Sequence, residues 1–273
     1  MLRYRLASAF VLIPIVLGSV YFGGLAFFAT IAVALLLAGY EYFDMTRRAG
    51  HQPMTLLGLA LIALFLLDAY AHSDPGMKAI FGPESWQREI LTAAIFFSLI
   101  FAVFWRREDW MASWALTFVG VLYIGGLGAS AILVRNLPNG LIWTAIALVT
   151  VWATDTGAYF VGTRIGRHGF FTSISPKKTW EGAIGGTLLA LVTMLVLGAL
   201  FTELTPLQSL VFGLGISVAG TFGDLAESLI KRQTGVKDSG NILPGHGGLL
   251  DRIDSLLFAA VFAYYFLVWV LRV

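Results

Sequence analysis

The sequence predicts an all-α, polytopic integral membrane protein with about nine transmembrane helices and a cytoplasmic N-terminus. Three observations predict it. Only 12% of the 273 residues are charged and 58% are hydrophobic. A water-soluble domain carries about 25% charged residues, so half that proportion does not cover a soluble surface of this size. The mean hydropathy is +0.81. Apolar runs of the roughly 20 residues needed to cross a bilayer recur along the whole chain.

Nine such stretches, with soft ends, fall at 7–22, 24–40, 55–71, 90–105, 112–134, 141–162, 182–201, 207–229 and 252–271. The first follows Arg3 and Arg5 and is similar to a secretory leader. Further apolar segments follow at once and no small-x-small cleavage site precedes them, so it is expected to stay as the first helix. Only Gly23 and Gly24 part it from the second. The third carries Asp68 near its outer end, where the plain reading is an interfacial residue touching water. The loop after it, 72–89, reads as connecting chain. The sixth stretch holds Asp155 in "TVWATDTGAYFVG" and the eighth holds Asp224 in "AGTFGDLAESLIKR". The ninth opens on Asp251 and Asp254, three apart and therefore on one face, with Ser255 beside them.

Nine spans place the N-terminus and the loops near 41–54, 106–111, 163–181 and 230–251 on one side, which then holds 14 of the 18 Lys and Arg residues. That bias assigns the side to the cytoplasm. The two richest polar loops, 163–181 and 230–251, both belong to the C-terminal half. The chain accordingly divides into N-terminal helices, 1–140, expected to shape a groove or interface, and a catalytic part, 141–273. A net charge of +2 gives no case for a nucleic-acid partner. With no cysteine there are no disulfides, thiolate metal sites or cysteine nucleophile. His51, His72 and His168 show no zinc spacing and are expected at the surface.

A charge in hydrocarbon costs about 2.5–3.5 kcal/mol on insertion scales, so Asp155 and Asp224 want an explanation. In the predicted orientation both lie toward the cytoplasmic mouth, beside the polar loops. Helical spacing from Asp224 puts Glu227, Ser228 and Lys231 on one stripe. A helix end entering water also turns polar, and for Glu227 and Arg232 that reading stands beside a functional one. Asp251 and Asp254 complement a helix N-terminus. Together with Asp224 they would also suit Mg²⁺, which takes oxygen ligands, one or two carboxylates plus substrate phosphates. In "GRHGFFTSISPKKTWEGAIGG", Lys177, Lys178, Ser173 and Ser175 suit a phosphate, with Pro176 pinning the turn. Adjacent lysines are also ordinary topology signals. The glycines of "GHGG" admit a phosphate to the backbone, or simply make a turn. Carboxylates, lysines and open backbone at one membrane mouth combine into the needs of phosphoryl or nucleotidyl transfer to a lipid.

The stretch "SLIKRQTGVKDSGNILPGHGGLLDRID", 228–254, carries Ser-x-apolar-Lys-Arg, then Lys-Asp, Leu-Pro, His-Gly-Gly and Asp-Arg-apolar-Asp. It resembles, along its whole length, the signature of the phosphatidate cytidylyltransferases, or CDP-diacylglycerol synthases. The Asp155 helix and "SPKKTWEG", 175–182, resemble that family's other polar segments. The resemblance spans 155–254; the N-terminal helices agree only in character. It implies the reaction of CTP with phosphatidate to give CDP-diacylglycerol and pyrophosphate. It also implies Mg²⁺ as cofactor with K⁺ as a second cation, a homodimer, and a bilayer location in the inner (cytoplasmic) membrane with the active site on the cytoplasmic face. The family's metal carboxylates fall on Asp224 and Asp251. Lys231, Lys237, Asp238, His246, Arg252 and Asp254 match the motif's other positions and complete the expected catalytic set. Asp155, Ser175, Lys177, Lys178, Ser228, Gly247 and Gly248 are expected at the substrates. Two other readings stay open. Intramembrane acids and many glycines would suit a cation-coupled transporter, although the charges crowd one face and no repeat relates the halves. Another CTP-dependent lipid phosphotransferase would use the same membrane.

Overall fold

A computed structural model describes residues 2–104, 108–242 and 247–272. The described chain is helical, with no β-strand and one isolated bridge between Gly169 and Thr179. The helices are α1 (Leu2–Phe22), α2 (Gly24–Arg48), α3 (Thr55–Ser73), the short α4 (Pro75–Phe81), α5 (Gln87–Phe104), α6 (Trp110–Gly120), α7 (Leu127–Asn136), α8 (Gly140–Ile165), α9 (Trp180–Phe201), α10 (Pro206–Gln233) and α11 (Leu250–Tyr265). A π-helical stretch, Val121–Gly126, joins α6 to α7, and another, Phe266–Leu271, prolongs α11. Among the described residues eight helical segments are long and apolar enough to cross a membrane. The remaining expected span corresponds to α1, a helix of 21 residues. The chain is a multi-pass membrane protein.

Two compact units emerge, Met1–Asn136 with Gln233–Asp251, and Leu137–Arg232 with Arg252–Val273. In the first, α2, α3 and α6 meet where glycines face aromatic rings. Phe43 fills the space that a side chain would take at Gly58, and Tyr42 does the same at Gly120. The Tyr42 hydroxyl donates to the Leu116 carbonyl at 3.2 Å. The entry to α3 is tied to α6 by side chains that satisfy its free amides: Gln52 N donates to Ser113 Oγ at 2.8 Å and Met54 N to Thr117 Oγ1 at 2.9 Å. The His51 ring and the Ser113 hydroxyl beside Asp109 hold its carboxyl below the ordinary range.

Asp68 departs from its expected place in water. It is buried, and accepts from Ser85 Oγ at 2.7 Å and Trp86 N at 2.6 Å, with His72 Nδ1 at 3.1 Å. The 72–89 connection is thus a folded cover, with α4 capped by Asp74, and the His72 side chain is enclosed rather than at the surface.

In the second unit α8 and α9 run antiparallel with their backbones almost touching. A Cβ on Gly157 would lie 2.9 Å from Gly185 O, one on Gly182 2.9 Å from Ala158 O, and one on Gly186 2.5 Å from Thr154 O. Small residues allow such an approach, and between apolar helices in lipid close packing supplies the attraction. Thr179 caps α9, its Oγ1 accepting from Gly182 N at 3.1 Å. The Glu181 carboxylate gathers Arg167 N and His168 N, which fastens the start of the connection to that cap. Ser217, fully buried on α10, finds Thr187 Oγ1 of α9 at 3.0 Å.

Gly186→Leu is expected to force α8 and α9 apart, at about 1–3 kcal/mol for overpacking. Its thermal midpoint in detergent should fall by several degrees, while the equally apolar exchange Leu188→Ile on the exposed face should leave it within a degree or so.

Candidate active site

The second unit gathers most of the predicted polar residues. Asp155 comes from the middle of α8, Asp224 from α10, and Asp254 from the first turns of α11. Gly223 permits the meeting of the last two: a Cβ there would stand 2.5 Å from the Asp254 carbonyl oxygen, so α10 and α11 touch through backbone beside both acids. Asp155 lies within electrostatic reach of Asp224 and Lys178. Asp254 lies within reach of Asp224, Asp155 and Lys231. Lys178 Nζ pairs with Asp224 Oδ2 at 2.8 Å, and Ser228 Oγ donates to Asp224 Oδ1 at 3.2 Å. Three acids and two lysines from four segments therefore share one neighbourhood.

Around that cluster the two ends of the polar surface are stitched together. Arg232 Nε donates to Ile174 O at 3.1 Å, holding the 166–179 connection to the end of α10. Ser175 and Lys178 form a turn, Lys178 N donating to Ser175 O at 3.2 Å, which leaves Lys177 exposed. Glu227 is fully buried and paired with Lys231, one helical turn on. Of the two readings kept for Glu227, the solvated helix end is thereby replaced by an enclosed ion pair. Arg252 is exposed.

The remaining predicted residues belong to the first unit. Lys237 and Asp238 are exposed. Behind them Asp251 Oδ2 receives three donors: Ser239 N at 2.9 Å, Ser239 Oγ at 2.9 Å and Gly248 N at 3.0 Å. Gly247 has φ +83°, a conformation side chains rarely adopt. A Cβ on the buried Gly248 would lie 1.8 Å from Ser239 Oγ. These two glycines thus serve the fold of the loop itself. His246 lies outside the described residues.

Residues 3–270 match the Cytidylyltransferase family. The chain belongs to that family. Phosphatidate cytidylyltransferases are among its relatives. The one from Synechocystis sp. is 33% identical with 98% of this chain and 97% of its own covered. That of Bacillus subtilis is 39% identical over 78% of this chain and 77% of its own, and that of Staphylococcus aureus 33% identical over 94% and 95%. This cytidylyltransferase is accordingly a nucleotidyltransferase enzyme.

A resident divalent ion fits the chemistry of this cytidylyltransferase's donors in one form. Among the described residues no three His, Asp or Glu side chains come together as an all-protein cage. Asp224, a partly exposed carboxylate within electrostatic reach of Asp155 and Asp254, would offer an oxygen donor of the kind Mg²⁺ takes when substrate phosphates complete its shell.

Sequence reasoning missed one buried acid here. Glu41 of α2 is 2% exposed and reaches the signature loop. The predicted second span ended at residue 40, which left Glu41 as the first residue of a loop; the helix in fact runs to Arg48. An ionisable residue inside a span was the signal, and the boundary hid it.

Lys231→Met is expected to remove the ion-pair partner of the buried Glu227 carboxylate, and breaking a buried pair costs about 3–5 kcal/mol. Replacing both Glu227 and Lys231 by Met should restore most of that loss. Thermal or denaturant unfolding of the two variants decides it.

Proposed function

We propose that this enzyme is a phosphatidate cytidylyltransferase, making CDP-diacylglycerol and pyrophosphate from CTP and phosphatidate. The observation that carries the reading is the neighbourhood of Asp155, Asp224, Asp254, Lys178 and Lys231 inside a membrane unit. The names of three relatives supply the substrate pair. A transfer of this kind asks the protein for alignment and for neutralised charge rather than covalent chemistry.

In the proposed reaction a phosphatidate oxygen attacks the α-phosphorus of CTP in line. The new bond is between that oxygen and the α-phosphorus, and the bond to the bridging oxygen breaks with pyrophosphate leaving. Lys231, Lys237, Arg252 and the 245–248 backbone bind the β- and γ-phosphates, where charge accumulates. Lys177 and Lys178 take the lipid phosphate. Asp155, Ser175, Ser228, Gly247 and Gly248 complete the substrate surface, with Asp238 and Asp254 in the catalytic set. Phosphatidate is already an anion, so no strong base is required, and His246 serves as a phosphate donor or organiser of the loop. We assign Mg²⁺ as cofactor, with Asp224 and Asp251 as its ligands and K⁺ as a second cation. The bound divalent ion supplies charge neutralisation on the triphosphate. The reading also takes the protein as a homodimer in the inner membrane, its active site on the cytoplasmic face that the Lys and Arg bias indicates.

Purified protein given labelled CTP and phosphatidate should place label in the lipid phase, and chelation of divalent cations should stop it. Equal product without divalent ion would remove the metal from the mechanism. Cation flux in sealed vesicles with no CTP turnover would replace the enzyme reading by the transporter.

Asp224→Asn and Asp251→Asn are each expected to lower kcat by about 10²–10³-fold, the scale of losing one electrostatic stabiliser. His246→Gln should keep turnover within about tenfold, since a neutral donor remains. Steady-state kinetics with the order reversed would make His246 the base.

A further inference from the structure

The signature loop is held from the opposite end of the chain. Glu41 Oε1 accepts from Leu249 N at 3.0 Å, and Glu41 Oε2 accepts from Leu250 N at 2.8 Å and Ser239 Oγ at 3.2 Å. The two amides open α11, whose first turn has no intrahelical acceptor for them. A buried carboxylate from α2 takes the place that a capping side chain would normally fill, and its charge suits the helix dipole there. Space around it is reserved by absent side chains: a Cβ on Gly240 would lie 2.5 Å from Glu41 Oε1, and one on Gly248 2.8 Å from Glu41 Oε2.

Ser239 links this carboxylate to a second one, since its Oγ also stands 2.9 Å from Asp251 Oδ2. One hydroxyl carries one proton, so it donates to one acid at a time. Glu41 and Asp251 therefore act on the loop as two ends of a clasp, closing residue 239 onto residues 248–250. The exposed Lys237 and Asp238 precede the clasp directly.

We infer that Glu41 is a positioning residue for nucleotide binding: its carboxylate fixes residue 239 against residues 248–250 and so the placement of Lys237, Asp238 and the Gly247–Gly248 backbone. This inference rests on the cytidylyltransfer reading for its kinetic consequence, and on geometry alone for the clasp. It gives the N-terminal half of the chain a part in holding the signature loop, where the sequence suggested only a groove or interface.

The experiment compares Glu41→Ala and Glu41→Gln with the parent in the same detergent. Amide hydrogen exchange reads the clasp directly. Exchange in peptides covering 237–250 should quicken by at least about tenfold in Glu41→Ala, as expected for losing bonds to a charged acceptor, with α3 and α9 peptides unchanged. Glu41→Gln keeps the volume and one carbonyl acceptor, and should fall between the two. The KM for CTP should rise about tenfold in Glu41→Ala, with the KM for the lipid within about twofold, a split that general unfolding does not produce. Parent-like exchange in both variants overturns the clasp, and should Glu41→Ala not fold, parent-like exchange in Glu41→Gln does so alone. Faster exchange with an unmoved KM for CTP overturns the positioning role. Absence of lipid product from the parent protein defeats the functional reading instead, while exchange still decides the clasp.

Discussion

Inside a bilayer no water is at hand to satisfy a polar group, so each one has to find its partner within the protein. The architecture of this chain follows from that constraint. The backbone answers it by being helical nearly throughout. The acidic side chains answer it in three ways. Asp68 is wrapped by a short loop of its own neighbourhood. Glu227 pairs with a lysine one turn away. Glu41 borrows the unsatisfied amides of a distant helix start.

The same constraint separates the helix pair α8 and α9 from ordinary apolar packing. Water gives no driving force for sticking two oily helices together in lipid, so closeness itself must supply the attraction. Gly157, Gly182 and Gly186 bring main chain against main chain. The polar connection between those helices can then be short and firmly tied, by Glu181 at its start and Arg232 at its far side. A firm base of this kind is what allows Lys178 to meet Asp224.

Much of this was legible in the sequence, and the exceptions have physical causes. Apolar length and the sparse charge announced the helices, and the resemblance of the 228–254 motif to a family signature announced the enzyme's family. Helical spacing placed Ser228 beside Asp224, and their side chains do meet at 3.2 Å, because that relation lies within one helix. Spacing could not show that Asp254 would sit within reach of Asp155, a neighbourhood made by tertiary packing at Gly223. Asp68 was misplaced because hydropathy registers a carboxylate's cost and not the donors that offset it. Glu41 was missed because a hydropathy window ends where polar residues begin, although the helix goes on. The expected metal pair divides between the two units, Asp224 in one and Asp251 in the other; the residue pattern offered Asp224, Asp251 and Asp254, and the resemblance narrowed them to two.

The reach of Glu41 has a consequence for how such a protein is made. Its partners lie 198 to 209 residues further along the chain. A ribosome delivers α2 to the membrane long before Ser239 or Leu250 exists. Through that interval the carboxylate has none of its native donors. The meeting of Ser239, Leu249 and Leu250 with it is therefore among the final acts of biogenesis, and a chain truncated before residue 239 would leave this acid without any of the three.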